Sequence, residues 1–151
     1  MENAIEKSSK VLRNLIVINH DRFKGYQKAS EETSEDSLKG YFSMYSQQSK
    51  EFSTELEKLI PDEKYKPDLE AIGLGGKLRL AWMDLKVALS GNSKKGILAS
   101  CECGEDLIKK AYDEILENET YIPLEIQVLI RKQREKLQEA HNKIKSLRDQ
   151  S

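Results

Sequence analysis

The sequence predicts an all-α helical bundle, and three observations carry that expectation. Along four long segments the apolar residues recur at alternating steps of three and four, which places them on one face of a helix. Proline and glycine are scarce, three and eight in 151 residues, so the chain lacks the frequent turns of a β sandwich. Charged residues make up 34% against 38% hydrophobic, a balance suited to long helices with solvated outer faces. A chain of this length buries roughly two thirds of its unfolded surface and can fold without staples.

The first helix carries the stripe Leu12, Ile16, Asn19, Phe23 and Tyr26. The stretch "SEETSED" at 30–36 is rich in turn and N-cap residues and ends it. A second stripe follows: Leu38, Tyr41, Tyr45, Gln48, Phe52, Leu56 and Leu59. The segment "PDEKYKPDLEAIGLGGK" at 61–77 holds two of the prolines and three of the glycines and interrupts the pattern. A shorter helix near 76–90 then presents Leu78, Trp82, Leu85 and Leu89 on one side. At about 15 residues it spans about 22 Å, enough to carry the chain along the bundle.

The third long stripe is Leu98, Cys101, Glu105, Ile108, Tyr112 and Ile115, closed by "NETYIP" at 118–123. The fourth helix starts near Pro123, a residue suited to a first helical turn. It carries Ile130, Leu137, His141 and Ile144, with Gln138 beside the seam. Short turns make antiparallel neighbours. The expectation is therefore one domain over 1–151: a hairpin at 3–60, a crossover at 61–92 holding a short fifth helix, and a second hairpin at 93–149.

Charge names no partner. Twenty-five basic residues against 26 acidic ones leave a net charge of −1, so no global field draws the chain to nucleic acid or anionic lipid. The cluster "RKQREK" at 131–136 interleaves with Glu135 and reads as a solvated helix face. With no leader pattern and no apolar run of about 18 residues, a cytoplasmic protein without membrane contact is expected. Cys101 and Cys103 sit two apart on a helix, rotated to different faces, so they neither form a disulfide nor make a zinc site; Cys101 belongs to the core and Cys103 is incidental.

Several motifs that could carry chemistry do not mature. "GLGGK" at 73–77 lacks the spacing and Lys-Ser/Thr ending of a phosphate loop. No base is placed to activate Cys101. Tyr26, Tyr41, Tyr45 and Tyr112 lie on core stripes, where packing with a bonded hydroxyl is the expected role. His20 points about 100° away from Asn19 around the helix and reads as structurally silent.

Each long stripe is interrupted near its middle by a polar side chain. The midpoint between Asn19 and Gln48 falls inside the first turn, and that between Glu105 and Gln138 inside the second, so these residues are level across their hairpins. The halves also echo each other. Asn19 precedes Tyr26 by seven, as Glu105 precedes Tyr112, and each partner helix offers a polar pair at i, i+3: Gln48 with Glu51, and Gln138 with His141. This reads as an internal repeat of a helical hairpin.

Two antiparallel hairpins with central acids and an acid-x-x-His-like pair resemble the ferritin-like four-helix bundle, whose members hold two iron or manganese ions. More narrowly, "LIVINHDRFKGYQKAS", "YSQQSKEF", "RLAWMDLKVALSG", "CECGEDLIKKAY" and "QEAHNKIKSLRD" resemble a small uncharacterised bacterial family of ferritin-like domains of unknown function, distant from rubrerythrins, over about residues 10–149. The resemblance implies ligand-equivalent positions at Asn19, Gln48 and Glu51 in the first hairpin and at Glu105, Gln138 and His141 in the second. A full set in that superfamily has four carboxylates and two imidazoles; here stand two carboxylates, one imidazole and three amides. A neutral amide cannot bridge two metals, and a buried ion pair would be left poorly neutralised. A two-iron oxidase is not expected.

Two readings follow. The favoured one makes the polar centre a hydrogen-bonded network that fixes helix register, in a non-enzymatic protein with a degenerate metal site that acts through partners or self-association. The other has Glu51, Glu105, Gln138 and His141 hold one iron, manganese or zinc ion, in a redox, stress-protection or storage protein. The apolar crossover helix around Trp82 is expected to serve a homodimer contact.

Overall fold

Asn3 begins the first helix because its side chain can take the place of a missing helical acceptor. In a computed structural model, which describes residues 3–68, 94–118 and 122–151, its carboxamide oxygen accepts from the Glu6 N–H at 2.8 Å, as an N-cap should. Helix α1 then runs Ala4–Glu32. The break is narrower than "SEETSED" suggested: residues 30–32 stay helical, and only 33–35 turn the chain. Thr33 makes that stop, its N–H bonding to the Ala29 carbonyl while its hydroxyl accepts from the Glu35 N–H.

Helix α2 spans Asp36–Lys58 and is followed by a short 3-10 turn at Glu63–Tyr65. Helix α3 spans Lys94–Asn118 and α4 Leu124–Asp149. Pro123 stands just before α4 as its cap residue, one position earlier than a first-turn proline. Among the described residues there are helices and no strand. The expected crossover helix near 76–90, with Trp82, lies outside the described residues.

Helix α1 packs on α2 and on α3; α4 packs on α3 and meets α2. Leu12, Leu15 and Ile16 of α1, Phe42 and Leu56 of α2, Leu98 and Ile108 of α3, and Ile130 and Ile144 of α4 are fully buried between them. Ala4 and Ile5 of α1 share a cleft with Leu59 and Pro61 after α2 and with Pro123 and Ile126 at the start of α4. Those three helix ends therefore share one end of the bundle. Lys94, the first residue of α3, pairs instead with Glu35 in the α1–α2 turn at 3.3 Å. The connection from α2 to α3 thus joins opposite ends of the bundle, a span of about 35 Å for a helix of 23 residues.

The stripes need correcting in rotation. Phe23, Tyr41 and His141 are only half-buried, while Arg22, Ser49, Gln133 and Ala140 are buried. On α4 the inward residues are Ile126, Ile130, Gln133, Leu137, Ala140 and Ile144, so the seam passes beside His141 and not through it. Within "RKQREK", residues 131, 132, 135 and 136 are exposed as a solvated face requires, but Gln133 turns inward and is 1% exposed.

One helix position is open to improvement. Gly40 lies on the exposed face of α2, and a methyl group added there meets no atom within 4 Å. Gly40→Ala is expected to raise stability by about 0.5–1 kcal/mol through lower backbone entropy in the unfolded chain, read as a higher urea midpoint with unchanged slope.

Candidate functional site

Arg22 is the largest fully buried side chain of the described residues. A guanidinium sealed from water is tolerable only if its nitrogens find acceptors, and here each of the three does. Nε and Nη2 donate to the two carboxylate oxygens of Glu105 on α3, the second at 3.0 Å. Nη1 donates to the Ser49 hydroxyl at 2.8 Å and more distantly to the Tyr45 carbonyl. The guanidinium carbon also lies 5.2 Å and 5.7 Å from the ring centroids of Tyr26 and Tyr45, within the range of a cation–π contact. Both side chains of the Arg22–Glu105 pair are 0% exposed. Burial works against the charge on Arg22, but the Glu105 carboxylate outweighs it and lifts the guanidinium above its already high pKa.

A second set of groups continues from this pair. Ser49 donates its hydroxyl proton to the Asn19 side-chain oxygen Oδ1 at 2.9 Å. The Asn19 amide donates to the Leu15 carbonyl and, at 2.8 Å, to the Tyr112 hydroxyl. Tyr112 in turn donates to the Gln133 side-chain oxygen at 2.6 Å, and the Gln133 amide reaches the Phe52 carbonyl and Glu55 at the rim of the core. Arg22, Asn19, Ser49, Glu105, Tyr112 and Gln133 form one hydrogen-bonded layer that crosses all four helices. Burial pushes the Tyr112 phenol far above its usual pKa, against the opposing pull of the Asn19 bond and the Arg22 charge. The layer fixes register, because sliding any helix by one residue would orphan several sealed polar groups. Tyr112→Phe deprives the Asn19 amide and the Gln133 oxygen of a partner together. A loss of about 1–3 kcal/mol is expected, with Tm falling and the far-ultraviolet circular dichroism of the folded state unchanged.

A family profile described as "Domain of unknown function (DUF2383)" matches residues 7–118. The chain belongs to the DUF2383 family. No curated protein matches it. The DUF2383 match runs from the first turns of α1 to the end of α3, and so takes in Arg22, Asn19, Ser49, Glu105 and Tyr112 but stops short of Gln133 on α4.

Of the six positions that the ferritin-like resemblance would make ligand-equivalent, Asn19 and Glu105 are buried within the layer. Glu51 is exposed on α2. Gln48 is half-buried, with its side-chain oxygen sealed and unpartnered. Gln138 bonds along its own helix to Asn142 at 2.9 Å. His141 faces α3, with Nε2 2.6 Å from the Asp106 carboxylate. Among the described residues, Glu51, Glu105 and His141 do not converge; the acid and imidazole groups that do are Glu102, Asp106 and His141, with one ligand atom from each within 4.8 Å of the others. Cys101 is buried and Cys103 half-buried, with no disulfide between them. Burial first, then the carboxylates of Asp106 and Glu102, raise the pKa of the Cys103 thiol, which makes it a poorer nucleophile.

The residues missed from the sequence are Arg22, Ser49 and Gln133. A signal for two of them was present. Arg22 lies three residues after Asn19 and four before Tyr26, and Gln133 three after Ile130 and four before Leu137. Each completes its stripe in step, but long polar side chains are rarely buried, so the type of residue masks the spacing.

Proposed function

We propose that this DUF2383 domain is a ferritin-like four-helix bundle in which the Arg22–Glu105 ion pair replaces a dinuclear metal centre, and that it works as a binding or assembly module, not as an oxidoreductase. The observation that carries this reading is the guanidinium seated on both oxygens of Glu105 in the bundle core. Arg22 supplies, as a covalently fixed cation, the charge that a metal would otherwise bring to that carboxylate. A divalent ion about 4 Å from the guanidinium would be repelled by on the order of 8 kcal/mol at an effective dielectric of 20. The donor set does not fit a dinuclear centre either: Glu105 is engaged, Glu51 faces solvent, and Asn19 is committed to Ser49 and Tyr112.

The ferritin-like topology is supported by the helix ends. The connection between α2 and α3 joins opposite ends of the bundle, as a long crossover requires. In this reading one domain spans 1–151, and the apolar segment around Trp82 supplies a self-association surface. Elemental analysis of protein purified from metal-replete cells tests the core reading: no iron or manganese held by Glu105 is expected. Two such ions per chain, or one that is released by Glu105→Gln and retained by Asp106→Asn, would overturn it.

A further inference from the structure

We infer that Glu102, Asp106 and His141 form a mononuclear site for a divalent transition-metal ion on the outer side of the α3–α4 seam, separate from the ion-paired core. The inference goes beyond the proposed function and does not depend on it.

Glu102 and Asp106 are four residues apart on α3, so both carboxylates leave the same helix face. His141 comes from α4, and its Nε2 lies 2.6 Å from Asp106 Oδ1. One ligand atom of each residue is within 4.8 Å of the other two. Nitrogen and oxygen ligands sit about 2.0–2.2 Å from zinc, which keeps donor atoms of one coordination sphere within about 4.4 Å of one another. Small side-chain rotations therefore close this trio on a single ion, with no movement of either helix.

The surroundings fit the role of each residue. Arg148 of α4 lies 2.7 Å from Glu102 Oε2, an ion pair without hydrogen-bond geometry that keeps a positive charge beside that carboxylate. The side chains of Glu102 and His141 are 12% and 13% exposed, so two ligands approach from a largely desolvated wall. Asp106 is 58% exposed, and coordination positions on its side remain open to water. Of the two ring nitrogens of His141, Nε2 is the one beside the carboxylate of Asp106, and Nδ1 is sealed on the far side of the ring. One imidazole and two carboxylates, with one negative charge offset by Arg148, favour zinc, iron(II) or manganese(II) over magnesium or calcium, which demand more oxygen ligands.

The test is isothermal titration of the full chain with zinc chloride, in a Cys103→Ser background so that a thiol cannot supply the binding. Cobalt(II) absorption in the visible range gives an independent readout of coordination. One ion per chain is expected, without competition from millimolar magnesium. Asp106→Asn and His141→Ala are each expected to weaken binding at least tenfold. Asp106 is solvent-exposed and its substitution leaves the fold intact, so that variant decides the matter even if His141→Ala loosens the seam. Absence of zinc binding at millimolar concentration, loss of binding through Cys103→Ser alone, or unchanged affinity in Asp106→Asn would each overturn the proposal. Failure here leaves the core reading standing, because that reading turns on ions held by Glu105.

Discussion

Glu105→Ala is expected to lower the unfolding free energy by about 3–5 kcal/mol, while the double replacement Arg22→Met with Glu105→Leu restores most of that loss or exceeds the parent. The single variant strands a guanidinium where no water reaches: Arg22 keeps Ser49 and the Tyr45 carbonyl but loses both contacts to its counter-charge. The double variant removes both desolvation costs and fills the space with apolar atoms. In a chain of this size each kcal/mol moves Tm by about 2–4 °C, so the single variant should melt on the order of 10 °C lower. Urea denaturation with the slope held in common checks both. A Glu105→Ala protein as stable as the parent would mean that water or another group already satisfies Arg22. The same pair of variants separates stability from specificity: if the double variant is stable but loses a single register, seen as broadened amide resonances, the ion pair serves uniqueness of packing.

Raising the pH above 10 is expected to destabilise the fold steeply, because buried tyrosines keep their protons there. Burial lifts the pKa of Tyr26 well above 10, with the Glu105 carboxylate adding to the effect. Burial, followed by the same carboxylate, pushes Tyr45 up to about 12, and Tyr112 is raised as well. In the unfolded chain these phenols titrate near 10. Below that value both states are fully protonated and the tyrosines contribute no slope. Between pH 10 and 12 the unfolded state releases protons that the folded state retains, so unfolding becomes progressively easier. Tyr26, Tyr45 and Tyr112 all contribute to the decline over that window. The measurement is the urea midpoint as a function of pH, with phenolate absorbance near 295 nm followed in parallel. Tyr45→Phe should flatten the decline. Ionisation of these tyrosines near pH 10 with no change in midpoint would contradict the burial on which the expectation rests.

Much of this architecture is written in periodicity. Leu12, Ile16, Leu38, Leu56, Leu98, Ile108, Ile130 and Ile144 announce four helices by spacing alone, and all eight are buried. The polar layer was legible in outline. Asn19 and Glu105 interrupt their stripes and are sealed in the centre, and Asn19 meets Ser49, the immediate neighbour of the Gln48 placed level with it. Arg22 was hidden because a lone arginine in a helix is normally solvated; only the matching Glu105 on a helix distant in sequence makes its burial tolerable. Gln133 was hidden by its neighbours, since Arg131, Lys132, Arg134, Glu135 and Lys136 make the local composition read as surface.

The sequence by itself therefore determined the four long helices, a break within 30–36 between the first two and the presence of a polar centre, because hydrophobic spacing and capping are local properties that need no partner. Tertiary structure alone decided which polar residue faces which: that the charge on Glu105 is answered by Arg22, and that His141 turns towards Asp106 and away from the core. Those choices depend on the rotation of one helix against another. A shift of a single residue turns a helix by about 100°, and only the mutual satisfaction of sealed groups selects among the alternatives.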